Sequence, residues 1–270
     1  MAPVDAVLGR LGGDEFGLVA ASLTDSAALE QFSAALIENV RAPHVHQGRP
    51  LDCGVSIGGA VFGQHADRAD DLLKAADLAL YASKDGGRGR LTLFQSGLRA
   101  EAQQRSSMIR MARQVAADRL AVPYYQPRID MRNGRVLGYE ALLRWHHPRM
   151  GVQLSGTIAA AFDHPEIAVA LTKQMLDAVL GDLQVWPRSG FDPGRVAINA
   201  AAADFANGDF AELVPGLLNQ AHIPTDHFEI KVAESVFLGR GADQVADALR
   251  RFAEGWRAMI SAPVLPRSPI

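Results

Sequence analysis

The chain has little cysteine, no long apolar run and no strong charge of either sign. One cysteine, Cys53, among 270 residues excludes an internal disulfide and a zinc site made of several cysteines. Cys53 lies in an apolar run, which predicts a buried core thiol. No apolar stretch approaches the roughly 18 residues that a membrane-spanning helix needs, and no secretory signal follows Met1. We therefore expect a cytoplasmic protein with no membrane partner.

The net charge limits the class of ligand. The formal net charge is -3 and the sequence pI is about 6.2. Proteins that bind nucleic-acid polymers through phosphate neutralisation usually carry a basic surface, so we predict no such partner. A small anionic ligand requires only a few local cations. Hydrophobic residues make up 48% of the chain, enough for the cores of one large or two small domains.

The first third of the chain predicts a mixed α and β pattern. A Gly-rich, acidic turn lies within a predicted hairpin at 11–21. Asp25 is a plausible N-cap for the helix that follows it, and Gly86-Gly87 is a stop signal for a second helix. The predicted elements after the hairpin are a helix at 26–41, a strand at 51–62, a helix at 70–85 and a strand at 91–94.

The remainder of the chain has a different pattern of predicted secondary structure. Residues 96–120 are polar and favour helix, which predicts an exposed helical connector. Strands and helices then alternate, and such repeating units indicate a parallel, barrel-type sheet. The predicted strands are 123–129, 135–143, 196–199 and 228–232, and the predicted helices are 165–186, 209–221 and 242–254.

Two motifs lie on these elements. The predicted hairpin carries Gly12-Gly13-Asp14-Glu15-Phe16, and a predicted strand carries Glu140-Ala141-Leu142-Leu143-Arg144-Trp145. The first resembles the active-site hairpin of the GGDEF family, diguanylate cyclases that join two GTP into cyclic di-GMP. The second resembles the signature of the EAL family, phosphodiesterases that linearise the same dinucleotide. Because both occur in the usual order, the chain is identified as a member of the tandem GGDEF-EAL family of bacterial signal transduction.

This resemblance implies an α/β chain. A partial GGDEF domain, a cyclase-like α+β fold, would occupy 1–95, and a helical linker 96–121. The N-terminal half of an EAL (β/α) barrel, a TIM-type barrel, would occupy 122–255, followed by a non-family tail at 256–270. We expect a chain truncated at both ends, by biology or by a frameshift or gene-model error. A half barrel would expose strand edges, which predicts a homodimer or aggregation.

The resemblance also implies roles for residues of the GGDEF half. Mg²⁺ would bind Asp14 with Glu15 as its acidic partner, and Gly12 and Gly13 would let backbone approach the nucleotide. Lys84 and Arg88 would contact phosphates. The family's guanine-binding residues precede the hairpin, where this chain has only residues 1–11.

The family's product-inhibition site is also altered. Pro3 stands at the position of its Arg and Ala6 at the position of its Asp. We therefore expect neither cyclase activity nor feedback inhibition, and GTP is the less favoured ligand.

In the EAL half, the resemblance makes Gln126 a substrate contact and Arg144 a phosphate clamp. Glu140 and Asn199 would be ligands of Mg²⁺ or Mn²⁺, and Glu234 would support a neighbouring active-site loop. The string Phe228-Glu229-Ile230-Lys231-Val232-Ala233-Glu234 places Lys231 where the family has another metal-binding Glu.

An ammonium offers no lone pair to a metal and repels a divalent cation. Glu229 lies on the same strand face, but its Cα is about 6.6 Å further along the strand, so it cannot simply substitute. The further metal-binding carboxylates that the family carries next do not follow Glu254. Catalysis is therefore expected to be impaired or lost, with no catalytic residue clearly retained.

Three hypotheses stay open. The favoured one is a cyclic-di-GMP phosphodiesterase by descent that has lost activity. The second is a non-catalytic cyclic-di-GMP receptor, in which Gln126, Arg144 and the retained rim still hold the ligand. A separate alternative, less favoured than plain loss of function, is that Lys231 mimics the charge of the metal and still permits ligand binding. The third is an interaction module formed by the GGDEF part and the connector. A metal cluster of His146, His147 and His164 is disfavoured, because His146-His147-Pro148 resembles a structural loop of the family.

Overall fold

A computed structural model describes residues 3–206 and 210–232 in two units, Met1–Arg105 and Ser106–Ile270. The first unit contains three short two-stranded sheets. β1 and β2 form an antiparallel hairpin, β3 and β4 form a second, and β5 and β6 pair in parallel. Its elements are β1 (Val7–Gly12), β2 (Glu15–Val19), α1 (Ser26–Arg41), β3 (His44–His46), β4 (Arg49–Leu51), β5 (Ile57–Gly59), α2 (Ala69–Asp85) and β6 (Leu91–Leu93).

Local signals in the first unit predicted its helices well. The Asp25 carboxylate accepts a hydrogen bond of 2.8 Å from the Ala28 backbone N–H, so α1 begins as predicted. The predicted strand at 51–62 is wrong over most of its length, since only Ile57–Gly59 forms a strand within 52–62. The prediction of a buried Cys53 is also wrong, because the thiol is exposed. Residues 52–56 form no strand ladder that would hold Cys53 against a helix.

The second unit contains a five-stranded sheet in the order β11-β10-β8-β7, with β9 paired to β8. Helix α3 (Ser96–Ala117) begins in the first unit and ends in the second. The other elements are β7 (Ala121–Ile129), β8 (Val136–His147), β9 (Gly151–Leu154), a 3-10 segment (Ser155–Asp163), α4 (Pro165–Val185), β10 (Arg195–Ala200), α5 (Ala202–Ala206), α6 (Phe210–Gln220) and β11 (Phe228–Val232).

Two predictions about this unit need correction. The sheet is parallel from β8 through β10 to β11, but β7 and β8 are antiparallel. Only residues 130–135 join β7 to β8, and six residues are too few for the helical crossover that a parallel pair requires. The connector is not exposed throughout, because Ala112 and Val115 of α3 are buried in a cluster with Trp145.

The main core lies on one face of this sheet, under α4 and α6. Alternate residues of each strand enter it, as expected for strands covered on that face. The cluster includes Ala141 of β8, Val196 and Ile198 of β10, Phe228, Ile230 and Val232 of β11, Leu176 and Val179 of α4, and Val214 and Leu218 of α6. This packing fixes the direction of the remaining side chains, which therefore project from the opposite face.

The end of β10 is held by a buried carboxyl. Asp204 of α5 accepts hydrogen bonds from the Thr172 hydroxyl of α4 at 2.9 Å and from the Ala201 backbone N–H at 2.7 Å. Burial raises the pKa of Asp204 to about 6, against the opposing effect of these two hydrogen bonds. This anchor fixes the chain just after Asn199.

Within the described part of the chain, no helix is long and apolar enough to cross a membrane.

Gly138 allows the central strands to approach. It pairs with Arg128 of β7 on one side and with Arg195 of β10 on the other. A Cβ atom at Gly138 would lie 2.0 Å from the Arg195 carbonyl oxygen, and φ at this residue is 154°. A side chain of any size would therefore separate β8 from β10 or distort both strands.

We expect Gly138→Ala to destabilise the second unit by about 2 to 4 kcal/mol, because the new methyl group meets backbone that cannot move away freely. Gly181→Ala is the matched control, since a Cβ at this position in α4 meets nothing within 4 Å. Urea unfolding followed by tryptophan fluorescence measures both. Equal unfolding midpoints for the two variants would contradict this account of the strand contact.

Candidate functional site

The face of the sheet that points away from the main core is polar. Residues opposite one another in adjacent strands share a face, and Gln126 pairs with Glu140, which pairs with Ala197. Asn199 pairs in turn with Lys231. We call the following set the polar face: Gln126 and Arg128 of β7, Glu140 and Arg144 of β8, Asn199 of β10, and Glu229 and Lys231 of β11.

Glu140 lies at the centre of this face. Its Oε2 atom accepts a hydrogen bond from Lys231 Nζ at 2.5 Å, and its Oε1 atom accepts one from Asn199 Nδ2 at 3.0 Å. The side chains of Lys231 and Glu140 are only 14% and 18% exposed. Burial alone would raise the pKa of Glu140, but these hydrogen bonds outweigh it and hold the pKa below its ordinary value of 4.5. The carboxylate is therefore charged and engaged at both oxygens.

A second ion pair lies nearby. Arg128 Nη1 donates to Glu229 Oε2 at 2.8 Å, and the Glu229 side chain is fully buried. A buried carboxylate requires such a partner, because desolvation of an unpaired charge is costly. Arg128 was not predicted from the sequence as a site residue. The available signal was strand alternation, since Arg128 lies two residues after Gln126 and so faces the same side.

Arg144 and Gln126 lie at accessible positions of the polar face. Arg144 is half-buried, and its Nη1 atom donates to the Leu143 carbonyl at 2.9 Å. It lies four residues, roughly 13 Å, beyond Glu140 along β8. Gln126 is exposed directly opposite Glu140. The fold thus places four of the predicted EAL residues, Gln126, Glu140, Arg144 and Asn199, on one surface.

The residues present do not fit a divalent cation at Glu140. Both carboxylate oxygens already accept hydrogen bonds, and the donor on Oε2 is itself a cation. Across residues 3–206 and 210–232, no group of three or more acidic, histidine or cysteine side chains is placed to hold a metal. An ammonium next to the carboxylate repels a second cation and supplies no lone pair. Glu140 is therefore engaged by the Lys231 ammonium in place of a divalent cation, and binding of Mg²⁺ or Mn²⁺ to Asn199 or Asp14 stays a prediction.

The GGDEF motif forms the turn between β1 and β2. Gly12 pairs with Glu15, and Gly13 has a positive φ of 52° that suits glycine. Lys84 of α2 donates to Glu15 Oε1 at 2.8 Å, and this hydrogen bond raises the pKa of Lys84. Asp14 and Arg88 are exposed. Lys84, the predicted phosphate contact, is therefore hydrogen-bonded to Glu15, the predicted acidic partner of Asp14 in metal binding.

The histidines that follow the EAL motif have a structural setting. His147 Nδ1 accepts hydrogen bonds of 3.1 Å from the backbone N–H groups of Arg149 and Met150, and its ring meets Trp145 edge-on. These contacts agree with the structural loop that the sequence predicted. Glu234, the predicted helix at 242–254 and the predicted tail at 256–270 lie outside the described residues.

The Lys231–Glu140 pair has a testable effect on stability. We expect Lys231→Met to destabilise the protein by about 1 to 3 kcal/mol at pH 7, because it leaves Glu140 without its cation. A carboxyl with a lowered pKa in the folded state stabilises the fold above pH 4.5, and this contribution is lost as the pH falls through the folded-state pKa. The difference between Lys231→Met and wild type should therefore shrink below pH 4.5.

Urea unfolding at pH 7 and at pH 3.5 measures this difference. Lys173→Met is the matched control, because Lys173 is 58% exposed and pairs with Asp177 at 3.5 Å on the surface. An exposed pair of this kind contributes about 1 kcal/mol or less. A destabilisation by Lys231→Met that is the same at both pH values would show that Glu140 is not the group affected.

Comparisons with known proteins identify the two domains of the chain. A family model described as EAL domain matches residues 108–260, and one described as diguanylate cyclase, GGDEF domain, matches residues 1–90. The bifunctional diguanylate cyclase/cyclic di-GMP phosphodiesterase MucR of Pseudomonas aeruginosa is 28% identical over 97% of this chain and 40% of its own length. The cyclic di-GMP phosphodiesterase NbdA of the same species is 29% identical over 92% of this chain and 31% of its own length. The chain thus spans less than half the length of these relatives.

Solved structures show the same fold. The PaMucR phosphodiesterase in complex with c-di-GMP superposes with a TM-score of 0.51 at 24% identity, covering 60% of this chain and 66% of that one. The S helix-GGDEF-EAL structure of Vibrio cholerae LapD, bound to c-di-GMP, gives a TM-score of 0.52 at 13% identity, covering 99% of this chain and 62% of that one. The EAL model alone matches more than half of the residues. The chain therefore belongs to the EAL domain family, and its EAL domain follows a GGDEF domain.

Proposed function

We propose that this chain is part of a cyclic-di-GMP signalling protein whose EAL domain binds the dinucleotide on the polar face and does not hydrolyse it. Relatives described as cyclic-di-GMP phosphodiesterases support the choice of ligand. The assembly of Gln126, Glu140, Arg144 and Asn199 on one surface supports the location. We also propose the domain limits predicted above, with α3 as the connecting helix.

The loss of hydrolysis rests on one observation, the ion pair between Lys231 Nζ and Glu140 Oε2. Metal-dependent cleavage of a phosphodiester requires carboxylate oxygens that hold cations, which lower the pKa of the attacking water. Here the central carboxylate is bound to an ammonium and to an amide N–H. Neither group can generate hydroxide. The hypothesis of an inactive phosphodiesterase and the hypothesis of a receptor therefore both predict that cyclic di-GMP is not hydrolysed.

Ligand binding rests on the groups that remain available. A guanidinium has five N–H donors in a planar fork suited to phosphate. Among the residues that the structure describes, Arg144 donates one hydrogen bond, to a backbone carbonyl. The Gln126 amide is exposed beside the Glu140 pair and offers both a donor and an acceptor. These two side chains support a contact to an anionic ligand. We propose them as binding residues.

The GGDEF part is proposed to make no cyclic di-GMP. Lys84 is engaged with Glu15, and both side chains are about half exposed, so this pair is a surface interaction of modest strength. Homodimer formation and the interaction-module hypothesis stay predictions of the sequence.

Calorimetric titration with cyclic di-GMP, combined with chromatography of the nucleotide after incubation with Mg²⁺ or Mn²⁺, tests the proposed function. We expect saturable binding and no linear dinucleotide. Arg144→Ala should weaken binding tenfold or more, since loss of a charged phosphate contact costs at least about 1.4 kcal/mol. Arg113→Ala, at an exposed position of α3, should bind as wild type does. Metal-dependent appearance of linear dinucleotide from pure protein would contradict the proposal, and so would a complete lack of binding.

A further inference from the structure

Lys231 is held in place far more firmly than an ordinary surface lysine. It lies in β11 between Ile230 and Val232, which are 3% and 1% exposed and fix the strand against the core. The Lys231 side chain is 14% exposed and reaches the Glu140 carboxylate of β8, although β10 lies between the two strands. The strand register makes this reach possible, because the small side chain of Ala197 stands beside Glu140 in β10. The ammonium thus has a defined position above the centre of the polar face.

The ammonium also has unused hydrogen-bonding capacity. A protonated lysine has three N–H donors and no acceptor. Within the described part of the chain, Lys231 Nζ makes one hydrogen bond, to Glu140 Oε2. Two donors therefore remain, close to the exposed amide of Asn199, which donates to the other oxygen of Glu140. Donors of this kind suit an acceptor with several oxygens and negative charge.

The charges of the polar face favour an anion. It carries three cationic side chains, Arg128, Arg144 and Lys231, and two carboxylates, Glu140 and Glu229. Arg128 and Glu229 neutralise one another at 2.8 Å. The single negative charge of Glu140 is therefore left to balance the two positive charges of Arg144 and Lys231. The surface between them carries an excess of positive charge without any metal ion.

From these observations we infer that Lys231 binds a phosphate of the dinucleotide directly and supplies, as part of the chain, the positive charge that a divalent metal would supply. This inference rests on the proposed function and specifies how its ligand is held. Glu140 then competes with the phosphate for the N–H donors of Lys231. Ligand binding is consequently independent of divalent metal.

Calorimetric titration with cyclic di-GMP, in 5 mM EDTA and in 5 mM Mg²⁺ at about pH 7.5, tests the inference. We expect wild type to bind with equal affinity in both buffers, within about twofold. Lys231→Met should weaken binding about tenfold or more, and Lys231→Arg should restore it to within about threefold of wild type, because the guanidinium keeps the charge and the donors. Lys173→Met, on the exposed face of α4, is the matched charge control and should bind as wild type does.

Glu140→Gln tests whether the Glu140 carboxylate competes with the ligand or holds a metal. If the carboxylate competes with the phosphate for Lys231, its neutral replacement should bind cyclic di-GMP several-fold more tightly. If the carboxylate held a metal that bridges to the ligand, the same replacement should weaken binding, and EDTA should weaken binding by wild type. Thermal unfolding of each variant shows whether it is folded at the assay temperature.

The outcomes distinguish this inference from the proposed function. Binding by wild type together with undiminished binding by a folded Lys231→Met overturns the inference alone. The inference is also overturned if binding requires Mg²⁺, or if Glu140→Gln binds cyclic di-GMP more weakly than wild type does. No binding by wild type in either buffer overturns the proposed function, and the inference fails with it.

Discussion

A lysine ammonium reaching across an intervening strand sets the electrostatics of the polar face. Lys231 and Glu140 belong to strands that are not neighbours, and roughly 9.6 Å separates such strands in a sheet. Their side chains meet because β11, β10 and β8 are locked in register by a core on the opposite face, and because Ala197 leaves space beside Glu140. The packing of apolar residues thus determines which polar groups can touch. A shift of one residue in any of these strands would abolish the pair.

Burial also explains why the polar face carries its charges in pairs. The Glu229 side chain is fully buried and pairs with Arg128, which offsets the cost of burying a charge. Glu140 is less buried and has two donors, one of which is a cation. Each carboxylate on this face is therefore balanced by a side chain of the protein. At Glu140, both carboxylate oxygens already accept hydrogen bonds from donors of the protein, so a divalent cation would have to compete with these donors.

The sequence predicted most of the elements but fewer of their contacts. Strand β11 was predicted at its observed limits, and α1 begins at its predicted cap, because strand alternation and capping are local signals. The antiparallel pairing of β7 was not predicted, although the short gap between the predicted strands at 123–129 and 135–143 excludes the helical crossover that a parallel pair requires. Arg128 was missed because its partner Glu229 lies 101 residues further along the chain. The sequence alone showed that Lys231 stands where the family has a metal-binding Glu. Its contact with Glu140 could not be predicted, because that contact depends on the register of β8, β10 and β11.

The most direct test of this account is a crystal structure of the protein grown with cyclic di-GMP and excess Mn²⁺, with diffraction data collected at a wavelength where manganese scatters anomalously. The account predicts no anomalous peak at Glu140. It also predicts that Lys231 Nζ lies within hydrogen-bonding distance, about 3 Å, of a phosphate oxygen of the ligand. A manganese peak bound to Glu140 and Asn199, with Lys231 turned away from both, would contradict it.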